Sequence, residues 1–87
     1  MPESRVELSL RIREIRLDRF GEDGIEAVSE ALGISARTWE NFESGVMIPG
    51  RIILHFVVLT GVEPCWLLTG EGDRYRDRSG QEAWRAL

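Results

Sequence analysis

The stretch Glu30-Ala31-Leu32-Gly33-Ile34-Ser35-Ala36-Arg37-Thr38-Trp39-Glu40-Asn41-Phe42-Glu43-Ser44-Gly45 holds the end of one helix, a tight turn and the whole of a second helix. Upstream of Gly33, Ile25, Val28 and Leu32 fall on one helical face, so the spacing predicts a short helix over 25–32 that Gly33 stops. Ser35 then offers an N-cap oxygen to a new helix. Within it, Trp39 and Phe42 stand three apart and turn the same side toward a core. Ser44-Gly45 closes that helix. Two short helices joined by a Leu-Gly-Ile turn make a helix-turn-helix arrangement whose second member is short and exposed enough to enter a major groove.

Toward the N-terminus, Val6, Leu8, Leu10, Ile12, Ile15, Leu17 and Phe20 alternate with charged residues at a spacing compatible with a helix. Over Val6 to Arg13 the alternation also suits a strand. Glu7, Glu14 and Asp18 among the arginines mark a solvated face rather than a membrane-binding one. Gly21 and Gly24, flanking Glu22 and Asp23, break the segment. Downstream, Pro49-Gly50 opens a fourth helix. Its Ile52, Ile53, Phe56, Val57 and Leu59 predict burial on most sides, and Gly61 ends it. Pro64 starts a fifth helix through Leu68, stopped at Gly70. Glu71 to Gly80 is polar and turn-prone, which predicts a loose tail. Ala83, Trp84 and Leu87 are spaced for a terminal amphipathic turn.

Composition bounds the function. The 87 residues carry a formal net charge of -4, with 43% hydrophobic and 30% charged residues, enough for one small globular domain. The longest apolar run, Ile52 to Leu59, is broken by His55 and far too short to cross a bilayer. Glu3, Arg5 and Glu7 interrupt any secretory signal, and the single cysteine fits a reducing compartment; the expected location is cytoplasmic. Cys65, between Pro64 and Trp66, reads as a buried structural thiol, with His55 the only histidine available as a base. No ligand set for zinc and no phosphate-binding glycine loop is present, so the chain is expected to be no enzyme and to need no cofactor or metal. All 11 positive residues are arginine, yet residues 1–51 hold seven of them against ten acids. DNA binding would therefore have to come from a local arrangement rather than from a basic field.

The segments Glu30-Ala31-Leu32-Gly33-Ile34-Ser35, Thr38-Trp39, Glu43-Ser44-Gly45, Pro49 and Trp66-Leu67-Leu68-Thr69-Gly70-Glu71-Gly72 together resemble the Cro/phage-repressor (XRE-type) helix-turn-helix family. The resemblance spans roughly Leu10 to Gly72, with several motifs in the right order. It implies an all-α, five-helix, lambda-repressor-like helix-turn-helix domain over residues 1–72, with residues 73–87 as a short polar tail. It also implies a transcriptional regulator that binds double-stranded operator DNA as a homodimer. A core ion pair between Arg16 and Glu43 is implied too.

By the same resemblance, Ser35, Ala36, Arg37, Glu40, Asn41 and Ser44 would face DNA, with Arg37 the candidate reader of guanine and Asn41 of adenine. Ser35, Ser44, the backbone around Val46 to Ile48 and Arg51 would hold phosphates. Ile25 and Ala36 depart from the family, which often places polar residues there; Ser29 replaces a small alanine, and the Gly21–Gly24 loop is slightly lengthened. Trp84 and Leu87, with the fifth helix, would join two copies; the alternative is that Trp84 folds back on its own core or stays disordered. The alternative function is a protein-interaction module on the same scaffold, for which an acidic surface is no handicap.

Overall fold

The computed structural model describes residues 4–76 of the chain. Five helices make an all-α domain: α1 (Ser4–Phe20), α2 (Ile25–Leu32), α3 (Ala36–Glu43), α4 (Gly50–Thr60) and α5 (Pro64–Thr69). No strand forms among the described residues beyond one isolated antiparallel pairing of Val62 with Tyr75. None of their helices is long and apolar enough to cross a membrane.

The open choice over Val6 to Arg13 resolves as helix. Ile12 and Ile15 bury one side of α1, and Glu7 near its start with Arg19 in its last turn complement the helix dipole. α2 buries Val28, Ser29 and Leu32. Its end is a Schellman turn, in which Gly33 N–H donates to Glu30 O and Ile34 N–H to Ser29 O. That turn requires the left-handed φ of 74° at Gly33, which a side chain would strain. Gly24 is constrained by space instead: a Cβ there would lie 2.3 Å from the Phe20 Cβ.

Trp39 occupies the centre. It is 1% exposed, tilts against Phe56 at 5.4 Å and meets Phe42 edge-on at 6.3 Å. Ile12, Ile15, Val28, Leu32, Ile52, Val57, Val62 and Leu67 complete the buried cluster around these rings.

Three expectations are corrected. α4 is not buried on most sides: Ile52, Phe56 and Val57 face the core, but Leu54 and Val58 stand 69% and 49% exposed, because no described element packs over that side. Cys65 is exposed, since the six-residue α5 turns Leu67 inward and its first turn outward. Finally, the chain after Gly72 is not loose as far as it is described. Glu63 N–H donates to Arg74 O and Arg76 N–H to Gly61 O, Tyr75 donates to Asp18, Arg19 stacks on the Tyr75 ring, and Arg74 pairs with Glu14. The expected terminal turn at Ala83, Trp84 and Leu87 lies outside the described residues.

Candidate nucleic-acid interface

α3 is held from within and open from without. Ser35 caps its N-terminus, its Oγ accepting from Thr38 N–H at 3.1 Å and lying 2.9 Å from Thr38 Oγ1. Trp39 and Phe42 are buried, so the face that they define is fixed against the core. A network then sets the rotation of the helix about its own axis. Arg16, on α1, donates from Nε and Nη2 to the two Glu43 oxygens, each at 2.9 Å. The Trp39 indole N–H donates to the same carboxylate. Arg16 Nη1 also donates to Gly21 O and Glu22 O, tying the α1–α2 loop to the far end of α3.

The ion pair that the resemblance implied is therefore present, and it is buried, with side-chain exposures of 6% and 11%. The Glu43 hydrogen bond, opposed by desolvation and helped by the opposite charge, raises the Arg16 pKa further above its ordinary range. Such a pair fixes one arrangement more than it stabilises, because both charges gave up water to form it. The indole donor went unseen at the level of sequence. Trp39 and Glu43 are four apart on one helix, a spacing that would have suggested it.

Outward, Ser35, Arg37, Glu40, Asn41 and Ser44 are exposed and Ala36 is partly so. α3 and its two cap residues thus carry all six residues expected to face DNA, none of them buried. Arg51 is also exposed, in the first turn of α4. Among the described residues Arg37 makes no ion pair, Glu40 included, so its fork is free. Ser44 Oγ donates to Glu40 O at 3.0 Å, which leaves its lone pairs but not its proton for a ligand.

The backbone expected to hold phosphate is only partly free. Val46 N–H closes onto Asn41 O at 3.0 Å, a consequence of the turn that ends α3. The first amides of α4, at Gly50 and Arg51, lie ahead of the first amide bonded back to Pro49, that of Ile52, and Pro49 supplies no side-chain cap. Beside these polar groups Val46 and Met47 stand 53% and 66% exposed.

Elsewhere, a cleft lined by Glu63, Cys65, Glu71, Asp73, Tyr75 and Arg76 is acidic and open. Among the described residues no group of three or more His, Cys, Asp or Glu side chains is placed to hold a metal ion. No protein-family model, curated protein or solved structure matches this chain.

Proposed function

We propose that the chain is a sequence-specific DNA-binding transcriptional regulator of the Cro/phage-repressor (XRE-type) helix-turn-helix family, with α3 as the helix that enters the major groove. The observation that carries this reading is the outward face of α3. Arg37 and Asn41, four apart and unburied, project from a helix whose rotation is set by Trp39, Phe42 and the Arg16–Glu43 pair. Arg37 would read guanine through its paired donors, and Asn41 adenine through its amide. Ser35, Ser44, Arg51 and the free amides of α4 would hold phosphates, while Ala36 and Glu40 line the same surface.

With an acidic chain, affinity rests on these local contacts. The working form is a cytoplasmic homodimer, because two symmetric copies double the number of base pairs read. The test is selection of binding sites from a random DNA pool across a range of salt concentrations. Recovery of one enriched motif is the expected result, and no recovery at low salt overturns the reading.

A second reading, a protein-interaction module without DNA binding, draws on Val46 and Met47. Two large apolar side chains exposed beside α3 suit a polypeptide surface better than a phosphate backbone. Replacing both by serine separates the two: the change weakens a protein complex and leaves the selected DNA motif intact if DNA is the ligand.

A further inference from the structure

Glu40 stands on the outward face of α3 as a carboxylate that the fold itself does not use. It is exposed, and among the described residues it makes no ion pair, Arg37 three positions before it included. Ser44 Oγ donates to the Glu40 carbonyl oxygen, not to its side chain. The residue also sits in the last turn of α3, where the helix dipole opposes a negative charge and no basic residue of that turn offsets it. Its neighbours fix where it would lie on DNA. Glu40 is one turn, about 4.5 Å of rise, beyond Arg37, a little more than the roughly 3.4 Å between base pairs. It and Asn41 are successive residues, about 100° apart around the helix, so they flank the line that runs from Arg37 to Ser44.

A carboxylate in that place is selective about what it can meet. Ionised, it only accepts hydrogen bonds, and phosphate oxygens offer it like charge and no donor. Guanine N7 and O6 and thymine O4 are acceptors as well. The major-groove donors are the amino groups of cytosine and adenine, and adenine sets its N7 acceptor beside the amino group, whereas cytosine presents N4 alone. Resting on the reading of α3 as the helix that enters the groove, we propose that Glu40 is a specificity-determining residue whose carboxylate accepts from cytosine N4, within about two base pairs of the guanine that Arg37 reads.

The test is selection from a random duplex DNA pool with the full chain and with Glu40→Gln and Glu40→Ala, both at an exposed position that leaves the core intact. The parent is expected to enrich a motif with a cytosine position that Arg37→Ala leaves in place. Glu40→Gln should move that position to adenine, which an amide matches with its donor and acceptor together, and Glu40→Ala should relax it to all four bases, a loss of discrimination of about tenfold. A second probe is the selected duplex with pyrimidin-2-one, which lacks the N4 amino group, in place of that cytosine. The penalty for this replacement should be about tenfold larger for the parent than for Glu40→Ala. A cytosine kept by both variants, or variants that only bind all sequences more tightly, overturn the inference and leave the DNA reading standing. No enriched motif with the parent at low salt overturns both.

Discussion

Arg16–Glu43 and Arg74–Glu14 are two arginine–carboxylate pairs of nearly the same length, 2.9 and 2.8 Å. Their surroundings differ. The first has side chains 6% and 11% exposed and shares its carboxylate with an indole; the second is 42% and 49% exposed, open to solvent on the side away from the domain. Distance alone therefore says little about what a pair does. The inner one fixes how α3 is turned, and losing one partner strands the other without water. The outer one helps to pin residues 74–76 to α1, where screening and side-chain entropy leave it worth little.

The largest expected effect follows from that contrast. Glu43→Ala should destabilise the fold by about 3 kcal/mol in chemical denaturation, because Arg16 stays buried without its counter-charge. Glu40→Ala, four residues from an exposed neighbour and on the outer face, should change stability by no more than about 0.5 kcal/mol. If the two variants unfold alike, the inner pair has no special role.

Next comes the outer face of the same helix, where the effect should move from folding to binding. Arg37→Ala should leave the unfolding curve in place and cost about 1–3 kcal/mol on the preferred DNA site, relaxing one position per half-site. Arg51→Ala should instead weaken all sequences alike and lower the salt slope by roughly one unit. A motif that stays unchanged in the Arg37 variant removes its reading role.

Ser35→Ala tests the cap that starts the helix, for which thermal or denaturant unfolding should show a loss of about 1 kcal/mol. Smaller still, Glu14→Ala at the outer pair should cost less than about 1 kcal/mol and lose that effect in high salt. A loss as large as that of Glu43→Ala would mean that burial is not what separates the two pairs.

The smallest effect is a pH dependence in the same outer region. Burial first, then the hydrogen bond to Asp18, pushes the Tyr75 phenol up from 10.0 to about 12. The favoured form in the folded chain is the neutral one. Its contribution is complete below pH 10 and is lost as pH rises from 10 toward 12. A pH titration of stability should show this decline in the parent chain, and Tyr75→Phe should abolish it.

Helix positions were legible because they rest on local signals. Gly33, Gly61 and Gly70 end helices in left-handed conformations, and Ser35 caps one, as their places in the sequence predict. The outward set on α3 was legible for the same reason, since the burial of Trp39 and Phe42 leaves one face for Arg37, Glu40 and Asn41. The Arg16–Glu43 pair joins residues 27 apart and was reached only through the family resemblance.

Contacts between distant segments without such a guide stayed hidden. Tyr75 meets Asp18 and Arg19 across more than fifty residues, and nothing in the polar run from Glu71 onward signals that partner. The outward turn of Cys65 and the bare Leu54–Val58 side of α4 failed for a related cause. An apolar run tells which residues can be buried, not how many neighbours a domain of this size has to bury them.

Arg16 has a consequence for how the domain opens. One guanidinium grips Gly21 O and Glu22 O on one side and the Glu43 carboxylate on the other, so the loop before α2 and the end of α3 share a fastener. Neither can detach alone without exposing a charge that the other still holds. The first three helices are then expected to open as one unit, and hydrogen exchange should show the slowest amides of α2 and α3 sharing one opening rate rather than fraying separately. Whatever α3 touches meets it as part of a rigid body, with little ordering left to be done on contact.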